Sequence, residues 1–218
     1  MAELKACIFD MDGVLVDSAV FHFESWKRLA KELSIDLKDD FEAQLKGISR
    51  VDSLEKILAQ GNLVLDNDTK VALMEKKNQQ YLESIVSLKQ EDLLPGTIDF
   101  LKELHDNGIK IALGSSSKNA MIILEKTNIK HLFSAIIDGN KVKFSKPDPE
   151  VFLRGAAECG IDPSEAVVFE DAISGVKAAK SGGFYCIGIG EKEELSEANH
   201  VINGLHEMNL NKLQDLFK

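Results

Sequence analysis

"FDMDGVLVDS", residues 9–18, decides the fold: an apolar approach ends in Asp10 and Asp12, two positions apart, with Gly13 directly behind them and Asp17 close by. In a strand, residues i and i+2 share a face, so both carboxylates point into one crevice if the extended backbone continues that far. Gly13 then lets the chain turn sharply. A strand that ends in clustered negative charge has to be neutralised by something.

Four further runs read as buried strands: "IKIALGSS" (109–116), "SAIIDG" (134–139), "AVVFED" (166–171) and "YCIGIG" (185–190), alongside "KACIFD" (5–10). Each is short, β-branched or aromatic, and stops at Gly, Ser or Asp. Helix-period segments near 97–107, 118–128, 149–160 and 172–182 alternate with them. That rhythm predicts βαβ units and an α/β fold with a doubly wound, Rossmann-like parallel sheet. It breaks between the first strand and about residue 88, where "FHFESWKRLAKEL" (21–33), "SRVDSLEKIL" (49–58) and "KVALMEKKNQQYLESI" (70–85) are helical in pattern and no strand intervenes. The expected organisation is a core of residues 1–16 and 88–218 with an inserted helical cap, 17–87, hinged near Val16–Ser18 and Ser87–Leu94.

The chain has 218 residues, 44% hydrophobic and 28% charged, as in an ordinary soluble globular protein. Its formal net charge of −10 argues against nucleic acid or an anionic membrane as partner. Cys7, Cys159 and Cys186 are scattered, so neither a disulfide framework nor a zinc site is expected. The opening "MAELKACIFDMDG" lacks a signal-peptide apolar region, and a cytoplasmic protein is the expectation. No exposed heptad suggests assembly, and a monomer is expected.

In open α/β sheets, ligands sit outside the carboxyl ends of the strands. There the sequence places Asp10 and Asp12, then Ser115 and Ser117 of "GSSSKN" with a helix start able to hold an anion, then Lys146 on a stretch that Pro147 and Pro149 hold extended, then Glu170 and Asp171. Taken singly, each has a bland explanation: a turn, a helix cap, a solvated lysine. Their coincidence at successive strand ends favours function. Four acids need a cation, hard oxygen ligands point to Mg²⁺, and the favoured guest is a phosphoryl group. One aspartate can serve as nucleophile and the second can move the proton.

In order and spacing, "DMDGVLVDS" (10–18), the serines at the second strand end, "SKPDPEVF" (145–152) and "EDAISGVKAA" (170–179) resemble the four motifs of the haloacid dehalogenase superfamily across the whole chain. The resemblance implies Asp10 as nucleophile, Asp12 as general acid and base, Ser115 and Lys146 as phosphate holders, and Mg²⁺ bound by Asp10, the Asp12 carbonyl, Glu170 and Asp171.

Substrate choice belongs to the cap. His22 and Trp26 lie on one helical stripe, Trp26 reading equally as packed core or substrate wall. Ser49 and Asp52 form a plausible capping box, with Lys46 and Gly47 in the loop before it and Arg50 on the first turn, a second anion site. Lys77 reads more simply as a solvated helix residue. "FHFESWK" (21–27), "LKGISRVDSLEKIL" (45–58), "EKKN" (75–78) and "SSSKN" (115–119) are similar to the sugar-phosphate mutases of the superfamily. That similarity implies a phosphosugar substrate, β-D-glucose 1-phosphate exchanged with glucose 6-phosphate through a bisphosphate intermediate. It also implies that His22, partnered by Lys77, couples cap closure to Asp12, and that Lys46, Gly47, Arg50, Ser53, Ser117 and Asn119 touch substrate. Ser18 stands where the family often has threonine. A capped phosphatase acting on a hexose phosphate or phosphoglycolate shares every core motif. A phospho-acceptor receiver domain is the non-enzyme alternative, and the large helical insertion and Arg50 speak against it.

Overall fold

The computed structural model describes residues 3–218 and contains a six-stranded, fully parallel sheet. Its strands are β1 (Ala6–Phe9), β2 (Lys110–Gly114), β3 (Ala135–Ile137), β4 (Ala166–Glu170), β5 (Tyr185–Ile189) and β6 (His200–Ile202), ordered β3-β2-β1-β4-β5-β6. β1 is central, with Ile8 opposite Ala112 on one side and Val168 on the other. The two-residue period of the strands sorts their side chains into two apolar layers. Cys7, Phe9, Ile111, Leu113, Val167 and Phe169 face one layer, while Ala6, Ile8, Ala112, Ala166 and Val168 face the other.

Helices cover both faces, as a parallel sheet requires. α5 (Thr97–Asp106), α6 (Ala120–Lys126) and α9 (Leu210–Phe217) supply Phe100, Leu104, Ile123 and Leu213 to the first layer. α7 (Glu150–Cys159) and α8 (Ile173–Ser181) supply Phe152, Ala156, Val176 and Ala179 to the second. The doubly wound reading holds. β6 and α9 lie beyond the five strands and four core helices read from the sequence.

Between β1 and α5 the chain forms α1 (Ala19–Glu32), the single turn α2 (Glu42–Leu45), α3 (Arg50–Gln60) and α4 (Asn67–Ser84). Asp66 caps α4 by accepting from the Thr69 amide at 2.9 Å. These helices enclose their own apolar cluster, built on Trp26, Leu29, Phe41, Leu54 and Ile57. The two connections to the sheet run side by side: Val16 pairs with Leu93 in an antiparallel bridge, and the Leu94 amide donates to the Leu15 carbonyl at 2.9 Å. α4 reaches further, because Tyr81 and Ile85 belong to the same cluster as the first layer of the sheet.

All three cysteines are free and buried. Burial pushes the Cys7 thiol far above its ordinary range and the Cys186 thiol up to about 12. Among the described residues no helix is long and apolar enough to cross a membrane.

Phe9 stacks on Phe169 with centroids 4.8 Å apart and meets Phe100 edge-on at 6.1 Å. Phe9→Ala is therefore expected to lower stability by about 3–5 kcal/mol. Urea unfolding followed by circular dichroism measures it, and a loss below about 1 kcal/mol would contradict this account of the core.

Candidate active site

β1 ends at Phe9, and the extended backbone does not continue to Asp12. Met11 sits in a bend, and its carbonyl accepts from the amides of Leu15 at 2.9 Å and Val16 at 3.2 Å. Asp10 and Asp12 thus reach the same cavity from a turn rather than from one strand face. Gly13 has φ +80°, and a Cβ there would fall on the carboxylate of Asp171.

Asp10 is buried, and its Oδ1 accepts from Lys146 Nζ at 2.5 Å. The same ammonium donates to Glu170 Oε1 at 2.7 Å. Burial opposes the Lys146 charge, but the two carboxylates outweigh it and raise its pKa. Burial pushes Glu170 up to about 8 even with Lys146 beside it. Both directions express one shortage: a single ammonium faces two acids. Glu170 Oε2 also accepts from the Ala172 amide at 2.6 Å, and a Cβ on Gly175 would overlap its carboxylate. Asp171 is raised to about 7 by burial and by Asp10, and Lys46 reaches it at 3.3 Å. The Lys146–Pro147 peptide is cis and Pro149 has helical dihedrals, so the Lys146 segment turns where an extended stretch is expected from its prolines.

Asp12 accepts a short hydrogen bond from the buried Ser18 hydroxyl, and its Oδ1 lies 3.9 Å from His22 Nε2. Burial and then Asp10 raise the Asp12 pKa to about 6. His22 is stacked on Tyr81 at 3.8 Å, and Lys77 Nζ stands 2.6 Å from its Nδ1. An ammonium donating to Nδ1 leaves the ring proton on Nε2, toward Asp12. Lys77 is only 2% exposed, between the rings of Trp26 and Tyr81 at 5.0 Å each. The solvated position expected for it from the sequence is wrong. Burial, then Arg50, lower its pKa to about 7, and burial, then Lys77, hold His22 well below the usual histidine range. Trp26 is both things the sequence left open: it is part of the cap cluster and it lines the cavity.

The cavity measures about 470 Å³ and lies between cap and sheet, well within the span of small-molecule sites. Lys46, Gly47, Arg50, Ser53, Lys77 and Ser117 line it together with Asp10, Asp12, Lys146 and Asp171. Ser115, Ser18, Asn119 and Glu170 stand behind that wall. The Ser115 amide still donates to the Ile137 carbonyl in the sheet ladder, at 3.0 Å, and its hydroxyl accepts from the Ser117 amide at 3.1 Å. Ser49 caps α3, accepting from the Asp52 amide at 3.1 Å, but the Asp52 carboxylate binds the Ser49 and Ser145 hydroxyls, so the capping box is half made. Sequence reasoning missed Asn78, whose Oδ1 accepts at 2.8 Å from both Arg50 and Asn119 and so ties the cap to the core; the only signal was its place in "EKKN". It also left out Lys118, which lines the cavity beside Ser117.

With this geometry in place, the comparisons with known proteins are specific. Residues 4–183 match the haloacid dehalogenase-like hydrolases. The chain belongs to that family. It is 40% identical over 214 residues to a β-phosphoglucomutase of Bacillus subtilis, covering 97% of this chain and 95% of the relative. A phosphorylated carbohydrates phosphatase of Thermotoga maritima is 33% identical, over 83% of this chain and 82% of the relative. A β-phosphoglucomutase structure from Clostridium difficile superposes with a TM-score of 0.95 at 36% identity, covering 98% of this chain and 97% of that one.

Haloacid dehalogenase-like enzymes of this type are metal-dependent. The donor set here fits a hard divalent cation: oxygen ligands only, Glu170 and Asp171 driven above the carboxylate range, and backbone at Gly13 and Gly175 shaped around the two carboxylates. Among the described residues no three acid, His or Cys side chains yet form a ligand-like group; Lys146 and Lys46 stand against the acids instead.

Lys77 titrates near 7 in the folded chain and near 10.5 when unfolded. Between those values the unfolded chain holds a proton the folded chain lacks, so this group's penalty is full below pH 7 and fades as pH rises toward 10.5. Lys77→Met is therefore expected to stabilise the protein by roughly 1–3 kcal/mol at pH 6.5 and by much less at pH 10, while activity falls. Calorimetry at the two pH values decides it; a lower Tm at pH 6.5 would show that the contact with His22 stabilises the fold.

Proposed function

We propose that the chain is a phosphosugar mutase that interconverts β-D-glucose 1-phosphate and glucose 6-phosphate through β-glucose 1,6-bisphosphate, with residues 17–87 acting as a cap over the core. One observation carries this reading: Asp10, Asp12 and Lys146 from the core and Arg50 from the cap line a single cavity. A site with a phosphoryl-transfer centre at one end and an arginine anion site at the other suits a sugar carrying phosphate at both ends.

Lys146 holds Asp10 Oδ1, leaving the other carboxylate oxygen to attack phosphorus. In the phosphorylated enzyme Asp12 takes the proton from the sugar hydroxyl as that oxygen attacks the phosphoryl group and the bond to Asp10 breaks, giving the bisphosphate; after the bisphosphate turns over, Asp10 attacks its other phosphorus and Asp12 returns the proton to the departing sugar oxygen. A group titrating near 6 can do both at neutral pH. Ser18 orients that carboxylate through its hydroxyl, and His22 Nε2 stands 3.9 Å from it. Ser115 would support the loop that presents Ser117 and Lys118 to phosphate. Mg²⁺, held by Asp10, Glu170, Asp171 and the Asp12 carbonyl, would neutralise charge on the transferring phosphoryl group. Arg50 engaged with the distal phosphate, with Asn78 and Asn119 behind it, keeps the cap seated and water out.

The test is one coupled assay: β-glucose 1-phosphate, Mg²⁺ and a catalytic amount of the bisphosphate, with glucose 6-phosphate measured against free phosphate. Predominant glucose 6-phosphate is expected; predominant free phosphate would favour the sugar-phosphate phosphatase reading that the Thermotoga relative suggests. Asp10→Asn should abolish turnover. Arg50→Ala should lower mutase kcat/KM by about 10²–10³-fold and shift the products toward free phosphate; an unchanged ratio would remove Arg50 from this role.

A further inference from the structure

Three core serines that the proposed chemistry does not use make hydrogen bonds to one short cap segment, residues 46–52. The Ser116 hydroxyl donates to the Gly47 carbonyl at 2.7 Å. The Ser174 hydroxyl donates to the Lys46 carbonyl at 3.1 Å. The Ser145 hydroxyl donates to Asp52 Oδ2 at 2.5 Å. Each serine belongs to a different segment beyond the carboxyl ends of the strands: Ser116 follows Ser115, Ser145 precedes Lys146, and Ser174 is the second residue of α8, three residues after Asp171. The approach is close, because Gly47 has φ +72° and a Cβ on it would meet Ser174 Oγ at 2.5 Å and Ala172 Cβ at 3.0 Å.

We propose that Ser116, Ser145 and Ser174 are positioning residues that register the cap segment 46–52 against three separate segments of the catalytic edge, and that this registry governs whether the phosphoenzyme transfers to sugar or to water. The inference rests on the mutase reading for its chemical consequence but not for the contact itself. The cap segment carries Lys46 and, one turn on, Arg50, so displacing it moves the distal phosphate site relative to Asp10. Two of the three acceptors are backbone carbonyls, which fix where the chain lies rather than where a side chain points. The third, Asp52, also holds the Ser49 hydroxyl at 2.5 Å, so the Lys146 loop is tied directly to the first turn of α3. Three bonds from three segments define an orientation; one bond would define only a tether.

Two of these bonds go to neutral carbonyls and one to a carboxylate; at about fivefold or more each in a closed–open equilibrium, losing all three amounts to on the order of a hundredfold. The full-length triple variant Ser116→Ala, Ser145→Ala, Ser174→Ala is compared with wild type in two assays and by small-angle scattering. The expected result is mutase kcat/KM reduced on the order of a hundredfold, with the ratio of free phosphate to glucose 6-phosphate raised at least about tenfold. Hydrolysis of p-nitrophenyl phosphate, which has no distal phosphate, is expected to be retained, and the radius of gyration without substrate to increase. Ser145→Thr, which keeps the hydroxyl, restores the product ratio that Ser145→Ala disturbs. An unchanged product ratio overturns the proposal. So does a parallel loss of p-nitrophenyl phosphate hydrolysis, which would make the serines simple supports of the loops. If wild type releases only free phosphate but the triple variant still expands in scattering, the mutase reading fails and the registry stands.

Discussion

One lysine ammonium shared by two buried carboxylates is the constraint on which the rest of this structure depends. Lys146 is fully enclosed, touches Asp10 and Glu170, and lies 4.7 Å over the Phe152 ring. Removing one partner of such a group leaves an uncompensated buried charge, a far larger cost than any surface pair involves. The charges still do not balance, because Asp12 and Asp171 stand on the same edge with Lys46 as the nearest further cation. That residual negative charge is what a divalent cation and a polyanionic substrate together are suited to resolve. The sheet supplies the rigidity: β1 and β4 are hydrogen-bonded neighbours, so Asp10 and Glu170 are placed by main-chain pairing rather than by side-chain preference.

The opposite electrostatic situation holds in the cap. Lys77 and Arg50 are cations crowded together, with His22 between Lys77 and Asp12, and burial lowers the pKa of all three. The crowded acids of the core and the crowded cations of the cap therefore line one cavity. Each set is individually strained in charge, and an anionic guest with a metal between them relieves both. Selectivity for a sugar phosphate over water then follows from assembly: neither set is complete alone.

Much of this was legible in the chain itself. The strands ended where Gly, Ser and Asp followed β-branched runs, and the acids, Lys146 and the serines fell at those ends because the parallel topology puts every carboxyl end on one edge. What the pattern could not resolve was direction within a helix or a turn. Lys76 and Lys77 are adjacent in "EKKN", yet Lys76 pairs outward with Glu32 while Lys77 is buried, because α4 is polar on most of its surface and offers no stripe to read. Asn78 was unremarked for the same reason. Ser115 stands at the carboxyl end of β2, where the sequence places a phosphate holder, with its amide in the sheet ladder and its hydroxyl accepting from the Ser117 amide. The Asp10–Asp12 spacing suggested a shared strand face; the bend at Met11 delivers both acids by another route.

α4 gives the cap a root. Tyr81 and Ile85 at its end are packed into the apolar layer under the sheet, with the helix otherwise belonging to the cap. Lifting the cap clear of the core would expose both side chains to water, at roughly 3–6 kcal/mol. A swing that leaves this end seated avoids that cost, so the accessible movement is a tilt about the root of α4, not a detachment, and the paired segments at Val16 and Leu93 need only flex beside it.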